Sequence, residues 1–338
     1  MNNPHTASQL PKKLLGRRLL VQAAAFGTLL CTLPLAHAQA PAWPSKPVRV
    51  VVAFAPGGPA DIVARIIAQV LQDKLGQTVV VDNRGGAGGN IAARLVAKEV
   101  PDGYTLLVTT SALAVNQTFY KEPGYDALKS FSPVALISIS PNIIVAHPSS
   151  TASDLKDYFQ KNMGKSVSYG SAGIGSTPHL TGDHVLRVLG GLEAVHIPFQ
   201  GAGPALAATM ANQVEIASVA LPPAVPLVRS GKLKALAVTS LQRVEALPQV
   251  PTVAESGFAG FEDYTWVGLF GPAKLPPEVV SRVNNILAEA LRTPEMKVKL
   301  AAAGMEPKPG TAAEFGDYVQ REVTKWAQIV KATGVTPQ

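Results

Sequence analysis

The sequence predicts an α/β protein built in two halves, and three observations carry that reading. Short apolar runs alternate with amphipathic stretches, the alternation restarts after Pro141, and glycine-rich loops recur where a run gives way to a stretch. With 338 residues, 47% of them apolar and 16% charged, the chain has the length and the apolar content for two packed domains.

The run 48–54 is apolar except for Arg49, as suits a strand buried on both faces. A Pro-Gly-Gly turn follows, and then Ile62, Val63, Ile66, Ile67, Val70, Leu71 and Leu75 recur at helical spacing until Gly76 stops them. A strand is expected at 79–81, a helix at 91–100 and a strand at 105–109. That order gives a parallel sheet covered on both sides. Beyond Pro141, strands are expected at 143–146, 167–169, 194–197, 216–220 and 235–238. Helices are expected between them at 152–161, 178–189, 205–212 and 223–230. One more strand, 266–270, precedes two closing helices at 277–291 and 312–332. Phe315, Val319, Trp326 and Ile329 share a face of the second. Crossings between the halves fall near Pro141 and Tyr264, and the second returns the C-terminal helices to the first half.

The first forty residues read as an address. Lys12, Lys13, Arg17 and Arg18 form a basic region, 19–35 is an uncharged apolar run, and Ala36-His37-Ala38 is a small-x-small site with cleavage expected before Gln39. The run is short for a membrane span and is interrupted by Pro34. The twin-arginine alternative lacks a Ser/Thr before Arg17 and a Phe after Arg18, which favours the general secretory route. Formal charge is +7, and removing those four cations leaves 7 − 4 = +3, too little to expect nucleic acid as the main partner. The single cysteine, Cys31, lies in this segment, so no disulfide, thiolate metal site or cysteine nucleophile is expected beyond it.

Three glycine-rich loops each follow a strand and open a helix, the end at which open α/β sheets bind ligands. The first holds Pro56, Gly57, Gly58 and Asp61, with Asp61 in reach of nearby amides. The second holds Ser171, Gly173, Gly175, Ser176 and Thr177, and Ser176 or Thr177 suits the helix cap. The third holds Gln200, Gly201 and Gly203. Free amides at such helix starts suit a carboxylate or phosphate. A fourth cluster, Gly85 to Gly89, lacks both a phosphate-loop lysine and the dinucleotide register, and nucleotide binding is not expected.

Catalytic and metal signals are weak. Of the four histidines after the leader, His147, His179, His184 and His196, the middle two stand five apart and do not form an i,i+4 metal pair. No GxSxG elbow is present, and nothing local brings Asp61 and Asp183 together as an acid–base pair. No metal and no cofactor are expected.

Several strings in fixed order resemble the extracytoplasmic receptors of tripartite tricarboxylate transporters, the Bug receptors. They are Pro44-Ser45-Lys46-Pro47, the Pro56-Gly57-Gly58 loop with Asp61, Ala64 and Arg65, and Val81-Asp82-Asn83-Arg84 before the fourth cluster. Pro101-Asp102-Gly103-Tyr104, Tyr169-Gly170-Ser171-Ala172-Gly173, Gly231 to Thr239 and Val250 to Glu255 follow. The resemblance runs from about Trp43 to Val335. It implies a two-domain periplasmic binding protein of the Venus-flytrap kind, with a ligand cleft between domains and hinge closure. The expected division is a signal peptide at 1–38, one domain at 45–141 plus 264–338, and another at 142–263.

The same resemblance implies a ligand carboxylate held by loop amides and ordered waters. Carried over by motif, Pro56, Gly57, Gly58 and Asp61 form the first-domain loop, and Ser171, Gly175, Ser176 and Thr177 form the facing anion loop. Gln200 and Gly201 are its neighbours, with Ser111 as a further candidate. Val219-Ala220 stands where many relatives carry an acidic or amide pair, which argues against an amino-acid ligand. The expected function is non-catalytic capture, in the periplasm and as a monomer, of a di- or tricarboxylate or aromatic acid for membrane permease subunits. A secreted hydrolase or isomerase using Asp61 and a histidine, and a ligand sensor for a membrane kinase, are the rivals.

Overall fold

Val48, Val50, Val51 and Val52 are all shielded from solvent, as a strand inside a covered parallel sheet requires. They belong to β1 (Val48–Val52), which pairs in parallel with β2 (Val79–Asn83) and β3 (Thr105–Thr110) in a computed structural model that describes residues 43–333, with side chains to residue 328. The leader 1–38, its cleavage point and Cys31 lie outside the described residues. Helix α1 (Pro59–Leu75) joins β1 to β2. It has Pro59 in its first turn, buries Val63, Ile67 and Leu71, and ends at Gly76 in the left-handed conformation. Helix α2 (Asn90–Val96) is four residues shorter at its end than its expected stretch.

The first half departs from an all-parallel sheet. The 16-residue strand β4 (Phe131–Ala146) and β9 (Tyr264–Pro272) pair antiparallel with each other, and β9 lies antiparallel to β3, giving the order β2-β1-β3-β9-β4. Only 143–146 of β4 was expected, because the pattern reads as restarting after Pro141. Its register against β9 shifts beside Pro133 and beside Leu136, while Pro141 stays paired with Tyr264. Helix α3 (Ala112–Phe119), between β3 and β4, was not expected either.

Past Pro141, the end of β4 runs between β7 (Ile216–Ala220) and β8 (Lys234–Val238), antiparallel to both. Strands β5 (Ser166–Ser171) and β6 (Glu193–Pro198) extend the sheet in parallel from β7. Helices α4 (Leu155–Asn162), α5 (Thr177–Asp183), α6 (Ala202–Met210) and α7 (Leu221–Arg229) connect them. The stretch expected as one helix at 178–189 is α-helical only to Asp183 and continues as a wider π turn, His184–Leu189.

After β9 come α8 (Pro277–Arg292), α9 (Pro294–Ala302), the short β10 (Glu306–Pro307) and α10 (Ala312–Thr333). These pack on the first half: Val279, Val283, Leu287, Phe315, Val319 and Trp326 share one apolar cluster with β1, β3 and α1. The second half has two apolar clusters of its own, around Leu155, Tyr158 and Val185 and around Leu206, Val219 and Leu233. The result is a two-domain α/β fold. Among the described residues, no helix is long and apolar enough to cross a membrane.

Candidate functional site

The first loop owes its shape to Asp61. Its carboxylate accepts the Gly57 N–H at 3.0 Å, Arg65 Nε at 3.1 Å and Asn83 Nδ2 at 3.1 Å, reaching back from the first turn of α1 to the residue before the cap. Burial on its own would raise the Asp61 carboxyl; Arg65, the Gly57 N–H and Asn83 outweigh it and hold the group below its ordinary value. With every partner inside the first half, Asp61 holds the loop, and Pro56, Gly57 and Gly58 present its backbone.

That backbone meets the third loop. The Ala55 N–H donates to the Gln200 carbonyl at 3.0 Å, and Gly203 lies against the Pro56 carbonyl and the Gly57 backbone. Pro56, Gly57, Gly58, Gln200 and Gly201 are therefore brought together. Gly85, in the cluster set aside as a nucleotide loop, backs onto both Ala55 and Gln200. Its glycines admit the approach of one half to the other.

The second loop meets the end of β3. Ser111 and Thr177, both buried, hydrogen-bond through their hydroxyls across 66 residues of sequence. Ser176 is the cap of α5: its hydroxyl accepts the His179 N–H at 3.3 Å and donates to the Gly173 carbonyl at 2.7 Å. Ser171 Oγ lies 2.7 Å from His196 Nε2 and accepts the Gly173 N–H at 3.1 Å. Ser171 and Ser176 thus shape the loop from within, whereas Gly175 and Thr177 face the other half.

Two histidines brace this loop from behind. The His179 and His196 rings stack at 4.0 Å between centroids, and Tyr169 continues the stack at 4.9 Å. His179 Nδ1 accepts the Gly175 N–H at 3.3 Å, which requires that nitrogen to be unprotonated. Burial lowers His179, and burial with the neighbouring His179 and Arg187 pushes His196 down to about 3. Both rings are neutral at ordinary pH. Asp183 is occupied with Tyr169 OH at 2.7 Å and Arg187 Nε at 3.3 Å and shares no partner with Asp61. Among the described residues no cluster of three or more His, Cys, Asp or Glu could hold a metal ion.

Where β4 and β9 pass between the halves, Asn142 Nδ2 donates to Asp263 Oδ2 at 2.9 Å and to Thr181 Oγ1 at 2.9 Å, and Thr265 Oγ1 donates to Asn142 Oδ1 at 2.8 Å. Burial pushes the Asp263 carboxyl up to about 6, against hydrogen bonds from the Thr181 hydroxyl, the Tyr264 N–H and Asn142 and the charge of Lys325. Further along α5 a cavity of about 770 Å³ opens, lined by Leu180, Arg187, Phe261, Asp263, Tyr318 and Trp326 among others. None of the residues expected to bind ligand lines it.

Sequence reasoning missed Gly88, Asn116 and Tyr120, which stand with the second loop at the contact between halves. The Tyr120 hydroxyl donates to the Ile174 carbonyl at 3.1 Å, and Asn116 Nδ2 donates to the Gly88 carbonyl at 3.0 Å. The one sequence signal is the glycine cluster itself, which fits no nucleotide loop and enters otherwise only among the strings of the family resemblance.

Residues 63–335 match the model of a family described as "Tripartite tricarboxylate transporter family receptor". Among solved structures, the periplasmic binding protein BugD is 36% identical with a TM-score of 0.84, covering 88% of this chain and 100% of its own. Rpa4515 from R. palustris, solved with adipate, is 33% identical with a TM-score of 0.84 over the same shares, 88% and 100%. MatC from Rhodopseudomonas palustris, solved with bound malate, is 33% identical with a TM-score of 0.78, covering 85% of this chain and 100% of its own.

Proposed function

The chain belongs to the tripartite tricarboxylate transporter family of receptors, and from that premise we propose how it holds its solute. It is a solute-binding receptor for a small organic carboxylate and not an enzyme. Adipate and malate, bound by similar receptors, support a dicarboxylate as the ligand. Its two halves, 45–141 with 264–338 and 142–263, move about the β4 and β9 crossings and close on the solute.

The observation that carries the site is the convergence of loops from both halves. Pro56, Gly57 and Gly58 meet Gln200 and Gly201, and Ser111 meets Thr177. The opening turns of α1 and α6 leave amides with no intrahelical partner beside these contacts. One ligand carboxylate accepts from those amides and from whichever of the Ser111 and Thr177 hydroxyls does not donate to the other. Asp61, Ser171 and Ser176 serve the site by fixing loop geometry, and Gly175 lends its backbone. Closure excludes water, so the same dipoles act in a lower dielectric and bind more strongly. Micromolar affinity needs only about −8 kcal/mol, within reach of a few charge-assisted bonds. Delivery to membrane permease subunits, export through a leader cleaved before Gln39 by the general secretory route, and a monomeric state belong to the same proposal.

Thermal unfolding of the purified protein with millimolar adipate, malate, citrate or benzoate tests the reading. A rise in Tm of several degrees with at least one of the four is expected. The acid should be recovered chemically unchanged. No shift with any of them contradicts carboxylate capture, and a converted acid contradicts the receptor.

A further inference from the structure

The halves also touch at the last turn of α3. Tyr120, at the C-terminal cap of that helix, is half-buried, and its hydroxyl has one hydrogen bond, to the Ile174 carbonyl in the second half. Phe119 beside it sets its ring edge-on to His179, at 5.8 Å and 83°. Asn116, one turn earlier, lays its Oδ1 against Gly175, and the Ile174 carbonyl lies against Gly88. Both glycines have positive φ, 79° at Gly175 and 60° at Gly88, and at each a Cβ would collide with the group opposite. The approach is therefore built from bare backbone on one side of each contact and from a side chain or carbonyl on the other.

We infer that the last turn of α3, through Asn116, Phe119 and Tyr120, is a clamp that grips the Gly173–Thr177 loop and holds the two halves closed by contacts within the chain. The inference rests on the two-halved receptor described above and adds a determinant of its affinity. A solute that binds the closed form sees an apparent dissociation constant divided by the fraction already closed. Tyr120 is accordingly a positioning residue: it acts through the Gly173–Thr177 loop and sets how much of the protein is ready to take a solute.

Two labels read the clamp without any ligand. Val100 and Met163 are exposed, one in each half, and the sequence has no cysteine besides Cys31. In the Cys31→Ser background, spin labels on Val100→Cys and Met163→Cys report the distribution of distances between the halves. Tyr120→Phe keeps the ring and loses the bond, and Gly175→Ala drives a Cβ into Asn116. In ligand-free protein both are expected to broaden the distribution and move it away from that of the parent. Adipate binding by Tyr120→Phe is expected to weaken about three- to tenfold, the loss of one ordinary hydrogen bond. Saturating adipate should return the Tyr120→Phe distribution to the parent's bound one. Tm alone does not decide, because a merely structural tyrosine would also lower it. Ligand-free distributions identical in the parent, Tyr120→Phe and Gly175→Ala overturn the clamp, whether or not any carboxylate binds. Failure of adipate to bind the parent while the ligand-free distributions still differ counts against the choice of ligand and leaves the clamp supported.

Discussion

Asp61 illustrates how one carboxylate is committed. It is 4% exposed, and its three partners hold the first loop in the shape that meets Gln200. Asp61→Asn keeps the size but turns an amide toward donors, and is expected to cost about 2–3 kcal/mol at pH 7. The folded carboxyl titrates below its ordinary value of 3.8. Its contribution is therefore fully present above about pH 4 and is lost as pH falls through the folded value. The Tm gap between parent and Asp61→Asn should stay constant from pH 6 to 8 and shrink below pH 4. An unchanged gap at pH 3 would mean that the carboxylate's charge contributes nothing. Asp61 was legible as a loop residue because Pro59 and the glycines mark a helix start. Its occupancy by Asn83 was not, since that partner stands 22 residues away at the end of β2.

At the scale of elements, α10 packs on the first half through Phe315, Val319 and Trp326, and one acceptor ties it to β9. Trp266 Nε1 on β9 and Trp326 Nε1 on α10 both donate to Glu322 Oε2, at 3.1 and 3.2 Å. Glu322→Ala strands two buried indole donors and is expected to cost about 2–4 kcal/mol. In chemical denaturation the midpoint should fall, and the loss in Glu322→Ala with Trp266→Phe should be smaller than the sum of the two single losses. Additive losses would show that the shared carboxylate does not couple strand and helix. Spacing alone puts Trp326 on an apolar helical face, and Glu322 one turn before it is invisible to that pattern. Helix α3 escaped for a different reason. Six of its eight residues are buried, Asn116 among them, so it shows no polar face from which a helical period could be read. Strand β4 escaped because Pro141 reads as a break in the chain, and the register shifts beside Pro133 and Leu136 are a property of the paired sheet.

Across the whole molecule, the alternation of strands and helices was legible because burial imposes period on sequence. The loops were legible because glycine and proline mark turns at strand ends. What spacing does not encode is distance in space: the Ser111–Thr177, Ala55–Gln200 and Tyr120–Ile174 contacts join residues 66, 145 and 54 apart. The fourth glycine cluster shows the cost. Read locally it resembled a poor nucleotide loop, and in space it is bare backbone that admits the facing half. A crystal structure of the protein grown with adipate tests the site most directly. The account expects one adipate carboxylate within hydrogen-bond distance of backbone amides from the Pro56–Asp61 loop and of Ser111 or Thr177, with both halves closed around it. Adipate lodged instead in the cavity beside Trp326, or bound without contact to either loop, would contradict it.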